Sequence, residues 1–67
     1  MGWCSATQIF DSVIGEIIDI VPQDVLTRVA VSLGSALQDG DWDCEYDSDY
    51  IEDARLKEAW KDLSVDV

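Results

Sequence analysis

The stretch DGDWDCEYDSDYIED, residues 39–53, carries eight acids and no base. From Asp39 to Asp49 the acids take every odd position: Asp39, Asp41, Asp43, Glu45, Asp47 and Asp49. Glu52 and Asp53 close the run. The even positions hold Gly40, Trp42, Cys44, Tyr46, Ser48 and Tyr50. An extended backbone sends successive side chains to opposite faces. In that conformation the stretch is a ribbon with a carboxylate edge and an opposite edge of Trp42, Cys44 and Tyr46. The other reading of residues 41–48 is a short irregular loop. The choice decides whether a strand interrupts an otherwise helical chain.

Upstream, Val25, Leu26, Val29, Ala30, Leu33, Ala36 and Leu37 recur at helical spacing and predict a helix over about 23–38. Pro22 suits its first turn, with Asp24 near the positive end of the helix dipole. Gly34 weakens a helix interior and marks a close helix–helix approach. Asp39-Gly40 provides the stop, with Gly40 in the left-handed conformation. Further upstream, Ile9, Phe10, Val13, Ile14, Ile17, Ile18 and Val21 predict a helix over about 6–20. Ser5 and Gln8 fit a capping box, and Cys4 with Ile9 a hydrophobic staple. The many β-branched residues here pull towards strand, but the period and the cap outweigh them. Pro22 ends this helix by disfavouring helical geometry in the residue before it.

Downstream, a third helix is expected from Ser48 or Asp49, with Asp49 and Glu52 as an acidic capping box. Leu56, Ala59, Trp60 and Leu63 form its buried stripe, and Trp60 reads as core. Residues 64–67 are expected to fray. The expected fold is all-α: a small three-helix bundle over residues 1–67, with the acidic segment linking helices two and three.

Sixty-seven residues make one domain with a thin margin of stability, so a second copy of the chain (a homodimer) or another partner would help bury surface. The hydrophobic content of 48% is too high for a disordered acidic tail. Fifteen acids against four bases leave a formal charge of −11. That charge argues against direct binding to nucleic acid, which needs Lys and Arg to displace counterions, and against anionic membranes. The expected partners are cationic. With no His in the chain, imidazole catalysis and His-ligated metals are excluded.

The two cysteines, Cys4 and Cys44, could form one disulfide by count, but they read as reduced thiols of a cytosolic protein, small buried hydrophobes packing near each other. Nothing ahead of Cys4 resembles a secretory signal. A zinc role is not expected from two thiols with no third nitrogen or sulfur ligand. Met1-Gly2 does not make a myristoylation signal, because Ala6 stands where Ser or Thr is wanted. No catalytic motif is present, and so short a chain has little room for a pocket that desolvates paired carboxylates. The expectation is a non-enzyme without a cofactor.

Three readings of the acidic run remain. From Asp41, DWDCEYDSDYIE places oxygens at EF-hand positions 1, 3, 5, 7 and 9 and Glu52 at 12, but Tyr46 stands where the sharp turn wants Gly. The alternative is a surface imitating nucleic-acid phosphates. Asp11, Glu16, Asp19, Asp24 and Asp62 would add charge to it, and Trp42, Tyr46 and Tyr50 would serve as aromatic anchors. A ribbon alone spaces its acids by about 6.7 Å, too sparse to copy a phosphate backbone. A solvated, solubilising loop is the plainest account. The self-repulsion of so much charge on so small a domain favours a purpose.

The opening MGWCSATQIFD and the later ALQDGDWDCEYDS resemble a group of short phage and prophage proteins. The two segments cover about a third of the chain. The resemblance implies a phage-derived protein acting in a bacterial cytosol. In size and charge the chain also looks like acidic anti-defence inhibitors, including DNA-mimicking anti-CRISPR proteins. The expected function is inhibition of a basic, nucleic-acid-binding protein of the bacterial host. Its contact residues would be Asp39, Asp41, Trp42, Asp43, Glu45, Tyr46, Asp47, Asp49, Tyr50, Glu52 and Asp53. An EF-hand-like calcium module and a small adaptor protein are the alternatives.

Overall fold

A computed structural model of the chain describes residues 2–66. Three helices form the bundle: α1, Ala6–Ile17; α2, Gln23–Asp39; and α3, Lys57–Asp62. Two 3₁₀ turns, Glu45–Asp47 and Ala54–Leu56, lie between α2 and α3, and no strand occurs among the described residues. The all-α expectation holds, and the acidic segment is a loop with 3₁₀ turns.

Helix α1 buries Ala6, Phe10 and Ile14. Ile9 and Val13, on the edge of the expected face, stay exposed. Its start differs from the expected capping box. Ser5 is already helical in backbone and its side chain caps nothing. The free amides bond instead to the preceding turn, Ala6 N–H to Trp3 O and Thr7 N–H to Cys4 O. Nor does the staple form, since Ile9 points outward. The helix also stops earlier than the period suggests, at Ile17; Ile20 and Val21 both donate back to the Ile17 carbonyl in a closing turn. Pro22 then adopts an extended conformation (ψ 159°) just outside α2, with its carbonyl accepting the Leu26 N–H at 2.9 Å.

Helix α2 carries Leu26, Ala30, Gly34 and Leu37 into the core. Gly34 performs the role its position implies. A Cβ added there would lie 2.5 Å from Leu63 Cδ1, so the absent side chain lets the end of α3 approach. At the end of α2 the left-handed residue is Asp41 (φ 78°), not Gly40 (φ −93°). Asp tolerates this region through its short polar side chain. Gly40 answers another constraint: a Cβ there would stand 3.1 Å from the Trp3 ring, which lies across it.

The core centres on Phe10, Trp42 and Trp60. Phe10 lies 5.1 Å from Trp42 and 5.0 Å from Trp60 between ring centroids, each pair tilted. Such arrangements add to burial through the ring quadrupoles. Trp60 is core as expected. Trp42 is core as well, against the expectation of a surface anchor: only 2% of it is exposed.

The third helix begins later than expected. Residues 48–53 form turns, and the Asp49–Glu52 box does not form. The capping residue is Asp53, whose carboxylate accepts the Arg55 N–H at 2.9 Å and starts the turn that runs into α3.

Candidate functional site

The period-two alternation of the acidic run breaks at its centre. A 3₁₀ turn has three residues per turn, so neighbours no longer face opposite ways. Glu45 is therefore buried and Tyr46 exposed (58%), the reverse of a carboxylate edge opposed to an aromatic one. Gln38 Nε2 donates to Glu45 Oε2 at 2.7 Å and also to the Leu63 carbonyl at 3.0 Å. This one amide ties the acidic loop to the chain following α3.

Other polar groups hold the loop in place. Trp42 Nε1 donates to Thr7 Oγ1, which donates to the Cys44 carbonyl, both at 2.9 Å. Asp11 on α1 accepts from Ser48 Oγ at 2.5 Å and from the Asp49 N–H at 3.0 Å. Asp11, half-buried, thereby takes a structural role in fixing the loop. Thr7 and Gln38 escaped the sequence reading and Ser48 was read only as a helix start, because no local spacing links them to partners 25 to 37 positions away.

The proposed contact residues separate into groups. Asp39, Asp41, Asp43, Asp47, Asp49 and Glu52 are exposed. Trp42 and Glu45 are buried, which corrects their assignment to the contact surface. Tyr50 is half-buried; its carbonyl accepts from Trp60 Nε1 at 3.0 Å, and its hydroxyl lies over Gly15. Asp53 is committed to Arg55. Of the three aromatic anchors, Tyr46 alone stands clear, its hydroxyl accepting the Asp66 N–H at 3.1 Å. Beside it runs an open groove of about 600 Å³, between Ile51, Glu52, Ala54, Lys57 and Asp66.

Ion pairing within the chain is sparse. Among the described residues, Arg55 bridges Asp53 at 2.9 Å and Asp19 at 3.0 Å, and no other ion pair forms. The hydrogen bonds from Arg55 hold the Asp53 carboxyl below its usual range, and the Asp53 and Asp19 carboxylates raise the Arg55 guanidinium. Among the described residues, no such cation pairs with the exposed acids from Asp39 to Glu52.

The loop does not take EF-hand form. Glu45, at loop position 5, faces Gln38, and the segment after Glu52 enters a 3₁₀ turn before the short α3.

The two cysteines are joined. Cys4 and Cys44 form a disulfide with Cα atoms 5.0 Å apart, within the ordinary span for such a bond. This overturns the expectation of reduced thiols. The Trp3 N–H donates to the Asp41 carbonyl at 2.8 Å and, together with the Thr7 bonds, brings the two sulfurs together. The cysteine count allowed this bond, but no local pattern links two positions 40 residues apart. Asp43 completes the corner: a carboxylate oxygen and the two sulfurs all lie within 4.8 Å of one another.

No helix among the described residues is long and apolar enough to cross a membrane. Comparison of the chain with protein-family models, curated proteins and solved structures finds no match in any of the three.

Proposed function

We propose that the chain is an acidic, non-enzymatic inhibitor that docks on the basic groove of a nucleic-acid-handling protein and blocks nucleic-acid access. The supporting observation is the set of exposed acids, Asp39, Asp41, Asp43, Asp47, Asp49 and Glu52, none of which has a cation partner among the described residues. Glu45, Asp11 and Asp53 are instead engaged by groups of the fold itself. The fixed backbone of this loop presents charge without a large ordering cost on binding, which favours affinity. Tyr46 adds the exposed aromatic surface common at interfaces. The resemblance to phage and prophage proteins fits a target in a bacterial defence complex.

The test uses the variant Asp39→Asn/Asp41→Asn/Asp47→Asn/Glu52→Gln, which leaves Glu45, Asp11 and Asp53 in place. Wild-type protein immobilised in a bacterial lysate should capture a basic protein that added polynucleotide and raised salt both release. The folded variant should lose that capture. Undiminished capture by the variant at low salt would show that these acids are not the contact surface.

A further inference from the structure

We propose that, in the reduced chain, Cys4, Cys44 and Asp43 form a binding site for a thiophilic divalent cation of the zinc class. The sequence argument against zinc was the lack of a third nitrogen or sulfur ligand; the fold instead adds an oxygen ligand, which zinc also accepts. Asp43 brings a carboxylate oxygen to within 4.8 Å of both sulfurs. Tetrahedral zinc holds sulfur at about 2.3 Å and carboxylate oxygen at about 2.0–2.2 Å, which puts neighbouring ligand atoms roughly 3.5–3.8 Å apart. On reduction the two sulfurs, bonded to each other in the disulfide, part to about 3.8 Å by rotation of the Cys4 and Cys44 side chains. Thiolates select zinc-class metals over calcium and magnesium.

Three hydrogen bonds hold the corner besides the sulfur–sulfur bond. The Trp3 N–H to Asp41 carbonyl bond, the Thr7 hydroxyl bond to the Cys44 carbonyl and the Trp42 indole bond to Thr7 all bridge the same two segments. Gly2 leaves room for Asp43, because any Cβ there would collide with the Asp43 carboxylate. Cys4 is exposed and Cys44 half-buried, so a cation can reach the site and water can take a fourth position. The net charge of −11 draws cations towards it.

The chemistry balances simply. A phosphine reductant gives two electrons to the disulfide and leaves as its oxide, with the oxygen coming from water. The two protons of that water yield the Cys4 and Cys44 thiols. The cation then binds both sulfurs as thiolates and sends the two protons to solvent.

The test uses the full chain, reduced with a phosphine in the absence of oxygen and titrated with cobalt(II). The reduced protein should develop a sulfur-to-cobalt charge-transfer band that saturates at one ion per chain and disappears on adding zinc. The oxidised protein should show no band. Cys4→Ser/Cys44→Ser should abolish it, and Asp43→Asn, which keeps both thiols, should weaken cobalt binding at least about tenfold, the loss seen for even outer-layer partners of metal ligands. Circular dichroism of each sample follows the fold. A reduced chain that gives no band, folded or unfolded, overturns the proposal, as does a band unchanged by Asp43→Asn. These measurements are made on the isolated protein, so the metal site and the docking surface succeed or fail separately.

Discussion

At the scale of single residues, the fold depends on a few polar side chains whose neighbours are remote in sequence. Gln38 serves Glu45 and the Leu63 carbonyl at once. Gln38→Ala strips both acceptors of their donor, and the buried Glu45 is left unsatisfied. The expected cost is about 1–3 kcal/mol in urea unfolding. Asp53 offers a pH test. Its carboxyl titrates below the usual range when folded, held there by hydrogen bonds from Arg55. Its contribution is therefore complete above the unfolded carboxylate pKa and is lost as pH falls through the lower, folded value. Asp53→Ala should cost about 0.5–2 kcal/mol near neutrality, as loss of a cap does. The gap from wild type should close on acidification below about pH 4. A gap that stays constant to low pH would mean that the ionised carboxylate is not what stabilises the turn.

At the scale of elements, the close approach of α2 and the chain after α3 runs through Gly34. Gly34→Ala gains up to about 1 kcal/mol in helix propensity but drives a methyl into Leu63, and overpacking typically costs about 1–3 kcal/mol. Leu63 is itself buried and has little freedom to move aside. The net expectation is a loss of about 1–2 kcal/mol, partly recovered in Gly34→Ala/Leu63→Val, measured by thermal unfolding. The helices were legible because their evidence is local and repeated. Leu26, Ala30 and Leu37 share a face at spacings that any helix imposes, and Pro22 separates two such faces. The loop was illegible for the same reason. The alternation of Asp39 to Asp49 is a local pattern, yet Glu45 and Trp42 turn inward because Gln38, Thr7 and Phe10 receive them. Of the candidate surface, the exposed acids were readable as charge, while the Cys4–Cys44–Asp43 corner needed the tertiary fold to exist.

At the scale of the whole molecule, fifteen acids on a body of 35 × 21 × 18 Å repel one another. Screening should relieve this, so the thermal midpoint is expected to rise between low and moderate ionic strength. A midpoint that falls with salt would point to attractive pairs outweighing the repulsion. The disulfide works against the same repulsion. Closing a loop across 40 residues contributes about 4 kcal/mol in the chain-entropy account. A domain of this size commonly has only about 3–10 kcal/mol in total. Reduction in the presence of a chelator should therefore lower the unfolding midpoint sharply, and an unchanged midpoint would show that the other contacts of the corner suffice.

The Cys4–Cys44 bond also gives the chain a topology. It closes a covalent ring that contains all of α1 and α2, and it leaves Glu45 onward, with α3 and Trp60, as a tail outside. A protease that cuts anywhere inside the ring opens it without separating the pieces, and the nick becomes visible in a denaturing gel only after reduction. A cut in the tail frees a fragment at once. Limited digestion run with and without reductant thus sorts cleavage sites by their side of Cys44, and the order in which they appear reports which part of the bundle opens first.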